Sequence, residues 1–312
     1  MALLAEYALT PGIFDTTCYR SADLCDVHLQ SLKEVLLSEG LVRNLRNGDW
    51  QTVFVDGSTR VWHQRGKELL KKLIVQKRIP LHPPVLPAAP TNDADWCKEA
   101  VASHSQKPLF GVITTTEIAG TFTSQPVVAA IDKLQNTLWW ISRSPSIRLN
   151  RTLNDYESNL SLVLSHANSI MFIDPHVDFE KPRYTDLAKL IGRLTIRNSK
   201  PLVEIHRVCY EGSPSTRSFP TLAEWESSFR TGLAGIIGSG LRVDVFIWDD
   251  FHERYLISDL IGISVPYGFD TSSGTNMLTT WTRLGRSDRD DIQREFDPAT
   301  NRHTLRAKFT IS

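Results

Sequence analysis

Between Asn154 and Trp248 the chain alternates helix-period and strand-period segments, and this alternation restricts the fold more than any other feature. Asn154–Ala167 places Tyr156, Leu160, Val163, Leu164 and Ala167 on one helical stripe. Ser169–Asp174 (SIMFID) is a short, nearly continuous apolar run, the pattern of a strand buried on both faces. Tyr184–Ile196 reads as helix, Leu202–Val208 as strand, and Thr221–Ile236 as helix, with Glu224 in its first turn and Gly238 and Gly240 closing it. In Leu241–Trp248, Val243, Val245 and Ile247 alternate with Arg242, Asp244 and Phe246, which predicts a strand with one better-buried face. Strands separated by helices call for parallel pairing through crossover connections. The expected fold is α/β, with a mixed, largely parallel sheet flanked by helices in the C-terminal part.

The N-terminal part is less regular. Asp23–Ser38 and Arg65–Gln76 predict helices, the latter with a basic face of Lys67, Lys71, Lys72 and Lys77 that reads as solvated surface. Gln51–Val55 reads as a short strand, Asp93–Ser103 as a helix, Leu109–Thr115 as a buried strand and Gln125–Leu134 as a helix. Ile79–Pro90 holds five prolines and cannot be regular helix. Leu138–Pro145 looks like a join, so the expectation is an N-terminal α/β domain over 1–145 and a second domain over 146–312. In the latter, Leu278–Leu284 and Thr304–Ile311 predict strands and Asp288–Phe296 a helix.

A chain of 312 residues can hold two cores. Its formal net charge of zero argues against a surface coated with cations for nonspecific nucleic-acid binding, though not against a local basic groove. Cys18, Cys25, Cys97 and Cys209 show neither metal spacing nor a disulfide framework, and read as reduced thiols of a cytoplasmic protein. The N-terminus lacks a charged-then-apolar leader, and no apolar run approaches a membrane span, so no membrane partner is expected.

The chemistry concentrates after the Leu241–Trp248 strand. His252, Arg254 and Asp259 are spaced H-x-R-x4-D, leading into strands read at Arg254–Ser258 and Ile261–Val265 and a turn at Pro266-Tyr267-Gly268. On extended backbone His252 and Arg254 project to one face, and Asp259 reaches them if the strand bends. An imidazole, a permanent cation and a carboxylate are parts for phosphoryl chemistry. Asp174-Pro175-His176 ends the SIMFID strand, where a sheet of this kind binds ligands, so Asp174 and His176 are candidates for the same crevice. Asp174 before Pro is equally a turn cap. On the next strand Glu204 and His206 share one face, His206 reading as a structural histidine, and Arg207 takes the other face as a supporting candidate.

His252-x-Arg254-x4-Asp259 resembles the H-x-K-x4-D signature of the phospholipase D superfamily, with Arg in the Lys place. Gly268-Phe269-Asp270, and more loosely Gly274-Thr275-Asn276, stand where that family has a Gly-Ser-x-Asn-like element, which adds Gly268, Asp270 and Asn276 to the candidates. The resemblance implies a phosphodiesterase that uses neither metal nor other cofactor, most often a nuclease. His252 would attack phosphorus, Arg254 would hold phosphate oxygens, and Asp259 would orient an imidazole. Only one motif is present, so the resemblance also implies a homodimer through the His252 face, with a second His252 as the acid. The cadence around Phe172–Pro175 and His252–Tyr255 resembles phospholipase D-like proteins of microbial defence operons, which implies a partner protein from such a system. Two other expectations stay open: a catalytically silent interaction subunit, and a hydrolase of phospholipids or small phosphodiesters.

Overall fold

A computed structural model of the protein describes residues 3–55, 60–212, 215–237, 240–271 and 277–312. The chain forms two compact units, Met1–Ser144 and Pro145–Ser312.

In the first unit the elements are β1 (Ala5–Leu9), α1 (Ala22–Glu39), β2 (Gly40–Val42), α2 (Asp49–Thr52), α3 (Gln64–Val75), α4 (Asp93–Gln106), β3 (Gly111–Thr114), α5 (Thr116–Thr121), β4 (Val128–Ala130) and α6 (Leu138–Ile141). The four strands form a parallel sheet in the order β2-β1-β3-β4. α1 starts where the Ser21 hydroxyl accepts the Leu24 N–H at 3.3 Å, and it buries Cys25, Leu29, Leu32 and Leu36 along one stripe. Glu6 and Arg43, both buried, pair at 2.6 Å.

Two expectations fail in this unit. Gln51–Val55 is not a strand. Asn47 and Gly48 both take left-handed backbone, and the Asn44 side chain accepts the Gln51 N–H at 3.2 Å, turning the segment into α2. Gln125–Leu134 is not an α-helix. Val128–Ala130 pairs with Val112–Thr114, so the open edge of β3 overrides alanine's helical preference, and a 3-10 helix follows at Ile131–Asn136.

The second unit contains β5 (Ser146–Asn150), α7 (Leu153–His166), β6 (Ser169–Ile173), α8 (Thr185–Gly192), β7 (Leu202–Val208), α9 (Leu222–Ile237), β8 (Val243–Trp248), β9 (Tyr255–Ser258), β10 (Gly262–Ser264), β11 (Leu278–Arg283), α10 (Arg286–Glu295) and β12 (Leu305–Ile311). Among the described residues they build one sheet in the order β12-β8-β7-β6-β9-β10-β11-β5. The strand–helix alternation produces the parallel centre, β6-β7-β8. The expectation of a largely parallel sheet stops there, because the five remaining strand pairs are antiparallel. The connections from β8 to β9 and from β9 to β10 are too short for the helix that a parallel crossover needs. β8 also departs from the one-sided reading. Phe246 and Trp248 are as buried as Val245 and Ile247, because Ile292 of α10 and Phe296 just beyond it pack in the same core cluster on that face.

α9 begins with a reciprocal cap: Thr221 N–H donates to the Glu224 carboxylate at 2.7 Å, and Glu224 N–H to the Thr221 hydroxyl at 3.4 Å. β6, with Ile170, Met171, Phe172 and Ile173 all buried, is the strand whose end positions the site.

Candidate functional site

Asp174 follows β6 and is fully buried. Its N–H extends the parallel ladder to the His206 carbonyl at 3.1 Å. Its carboxylate accepts the His176 N–H and the Phe269 N–H, each at 3.0 Å, and the Tyr184 hydroxyl at 3.3 Å. A buried carboxylate needs such donors to offset lost hydration. Asp174 thereby ties three segments together: the end of β6, the turn before α8, and the Tyr267–Phe269 turn. Gly268 makes the last of these possible. It sits at φ +68°, and a Cβ there would run into the Asp174 carboxylate.

β9 runs antiparallel to β6 with Tyr255 opposite Ile173. One step beyond the paired residues the register sets Arg254 opposite Asp174, and Arg254 Nε lies 3.8 Å from Asp174 Oδ1. Arg254 also donates to the His252 carbonyl at 3.0 Å. His176 lies in the turn that follows Asp174, and His252 lies two residues before Arg254 in the segment that leads into β9. His252 is exposed, its N–H donating to the Glu253 carboxylate at 3.0 Å. His176 is half-buried. Burial holds its pKa below the ordinary histidine value; the Asp174 charge opposes that shift, and Arg254, Arg207 and Arg183 add to it. The two segments that meet at the Arg254–Asp174 contact thus carry one partly exposed guanidinium and, close by in each segment, an imidazole.

Asp259 is elsewhere. It follows β9 at the opposite end and accepts Asn168 N–H at 2.9 Å and Asn168 Nδ2 at 2.8 Å, just before β6 begins. Five residue steps separate it from Arg254, roughly 16 Å of extended chain. β9 does not bend, so the expected orienting contact between Asp259 and an imidazole is not made. Asp259 pins the β9–β10 hairpin to the start of β6 instead.

Arg207 also differs from its expected part. It is buried, its guanidinium donating to the carbonyls of Val177 (2.7 Å), Val208 (2.9 Å) and Tyr210 (3.0 Å) and stacking 3.5 Å from the Trp225 ring. Burial pushes its pKa down to about 10. It braces the loops after β6 and β7 and cannot touch a ligand in the crevice. His206 is fully buried between β-strand neighbours, stacked 4.7 Å from Phe246, accepting Trp248 Nε1–H at 3.1 Å and facing Glu204 at 3.3 Å. Burial lowers its pKa, so it is a neutral structural histidine.

Asp270 pairs with Arg151, and its carbonyl accepts the Tyr156 hydroxyl at 3.1 Å. Asn276, with Gly274 and Thr275, lies outside the described residues. Sequence reasoning missed Tyr184 and Arg151. Tyr184 opens the segment read as a helix, ten residues past Asp174, where an aromatic residue reads only as packing, and Arg151 falls in the short stretch before the Asn154–Ala167 helix, where no motif marks it.

The described residues contain no group of three or more His, Cys, Asp or Glu side chains placed to hold a metal. No helix among them is long and apolar enough to cross a membrane. No family model matches the chain, and no curated protein matches it. One similar solved structure is that of the archaeal chromatin protein TrmBL2, which shows a novel mode of DNA binding. It is 11% identical, the match covers 77% of this chain and 82% of that one, and the TM-score is 0.28, a likeness too slight to assign a fold or a ligand.

Proposed function

We propose that the second unit is a metal-independent phosphodiesterase of the phospholipase D type, acting on nucleic acid. The observation that supports this reading best is the placement of Arg254, held against buried Asp174 at the sheet edge, with His252 two residues before it and His176 two residues after Asp174. In this scheme the guanidinium holds two phosphate oxygens and offsets charge as it builds on them. His252 attacks phosphorus, the P–N bond forms as the P–O bond to the leaving group breaks, and the departing oxygen takes a proton from His176. Water then attacks the phosphohistidine, giving its proton back to His176, and His252 leaves. His176 takes the part that a single motif would otherwise leave to a second subunit. Burial lowers its pKa below the ordinary histidine value, so activity that needs its proton is expected to be highest in acid and to fall as pH rises towards neutrality.

A second reading is favoured by two observations. Asp174 already offsets part of the Arg254 charge, and the carboxylate of the motif is remote from both imidazoles. A phosphate-binding subunit without turnover fits these equally.

The test is cleavage of single- and double-stranded DNA and RNA in EDTA by wild type, His252→Ala and His176→Ala. Cleavage that survives EDTA and drops at least a hundredfold in both variants supports the phosphodiesterase. Cleavage that needs a divalent cation, or that neither variant reduces, refutes it. Binding without cleavage favours the silent subunit.

A further inference from the structure

A cavity of about 700 Å3 opens beside the segment that carries Tyr184 and the start of α8. Arg151, Lys181, Arg183, Asp186 and Thr271 line it, which is three cations against one anion. Asp186 is already engaged by Lys189 at 2.8 Å and by the Thr271 hydroxyl at 2.8 Å. Lys181 pairs with Asp178 at 2.6 Å and Arg151 with Asp270. Arg183 is exposed and makes no ion pair among the described residues. Its guanidinium lies 5.3 Å from the ring of Tyr184, whose hydroxyl bonds Asp174.

Two further features, one in the cavity wall and one beside it, distinguish this place from an ordinary basic surface. Arg151 is only 8% exposed, yet its Nε hydrogen has no acceptor among the described residues. A buried guanidinium nitrogen without an acceptor is costly unless something else supplies one. Tyr267 is 56% exposed, a large ring left in solvent, with the Arg151 guanidinium 5.0 Å from its centroid. It is the chain neighbour of Gly268, which abuts Asp174. An exposed aromatic ring backed by an arginine, with a second cation nearby, is how proteins take an unpaired base together with its backbone phosphate.

We infer that Arg151, Arg183, Lys181 and Tyr267 form a subsite for the nucleotide flanking the one at Arg254, and that the ligand is single-stranded nucleic acid. The inference rests on the phosphodiester reading of the Arg254 site. A duplex has no free base face for Tyr267, and a phospholipid or a mononucleotide has no second phosphodiester for Arg183.

Fluorescence anisotropy in EDTA, with thymidine and uridine octamers and the dinucleotide TpT, tests it on wild type, Arg183→Ala, Tyr267→Ala and Tyr267→Phe. All three substitutions are at exposed positions. Arg183→Ala and Tyr267→Ala are expected to weaken octamer binding about tenfold each, while Tyr267→Phe stays near wild type and TpT binding changes little. Removing Arg183 should also lower the slope of log K against log salt by about 0.7. Octamer binding equal in wild type and both alanine variants, tighter binding of a duplex than of the octamers, or no binding of either octamer overturns the subsite. Cleavage of the octamers is followed in parallel. Lost affinity without any cleavage keeps the subsite and sinks the phosphodiesterase, and cleavage with unchanged affinity does the reverse.

Discussion

The two ends of β9 carry residues of one short motif and have become different things. At one end Arg254 leans on a fully buried carboxylate while His252 remains in solvent. At the other, Asp259 spends its carboxylate on the main chain and side chain of Asn168. The Asp259 end is closed: each of its bonds is internal, and nothing is left over for a ligand. The Arg254 end is open, with a partly exposed cation that Asp174 only partly offsets and an exposed imidazole close by. Linear spacing sets the three residues at the two ends of one strand, and the strand's straightness keeps those ends apart. Side chains from a neighbouring segment, Asp174 and His176, supply what the motif alone does not.

The largest effect that can break this comparison is expected at Gly268. Its φ of +68° and the Asp174 carboxylate against it leave no room for a methyl group. Gly268→Ala should cost roughly 3 kcal/mol or more, from left-handed strain and overpacking together. The loss should appear as a lowered denaturant midpoint. A variant as stable as wild type would show that the Tyr267–Phe269 turn does not depend on Asp174. Next in size is the contrast between the ends themselves. Asp259→Ala removes the acceptor for the Asn168 N–H and Nδ2, so it should destabilise by about 2 kcal/mol. His252→Ala, at an exposed imidazole, should stay within about 0.5 kcal/mol while abolishing any phosphodiesterase activity. If Asp259→Ala leaves stability intact and instead removes activity, the assignment of the two ends is reversed.

What sequence reasoning could reach follows from what periodicity measures. β6, β7 and β8, and the helices between them, were legible because long apolar patterns report burial directly. The grouping of Asp174 and His176 with Arg254 was legible from topology, since ligand-facing residues of a parallel sheet collect at its carboxyl edge. β2, β4 and β5 were not, being short segments whose strand character comes from a neighbour's open edge rather than their own residues. Asp259 was misplaced because a spacing of four is compatible with both a bend and a straight strand, and only the pairing with β6 decides. Arg207 was misplaced for a related reason. Its face of β7 is covered by Trp225 of α9, and a cation at that position is satisfied by three carbonyls instead of a ligand. Tyr184 and Arg151 matter through contacts with Asp174 and Asp270 made 10 and 119 residues away, which no local pattern announces.

The smallest effect expected distinguishes the ends by their response to acid. His206 lies opposite Ile173, at the Arg254 end of the sheet, and its carbonyl holds the Asp174 N–H. The groups facing its ring are Phe246, Trp248, Phe296 and Glu204, with Lys308 beyond Phe246. Burial lowers its pKa in the folded chain, with Glu204 acting against the shift and Lys308 adding to it. The unfolded chain therefore takes up the proton first as pH falls, near the unperturbed value of about 6.5. Stability is then full above that pH and is lost as pH drops through it towards the folded value. The shifts of His176 and His82 act in the same direction, so wild type alone does not isolate His206. Thermal midpoints from pH 7.5 to 5.5 should decline in wild type and decline less in His206→Gln, which starts lower because the ring's stacking is gone. Amide exchange should loosen at Asp174 before it loosens at Asn168. A wild-type midpoint that is flat or rises on acidification would mean that the Arg254 end does not depend on a neutral His206, and both ends of β9 would then be equally indifferent to acid.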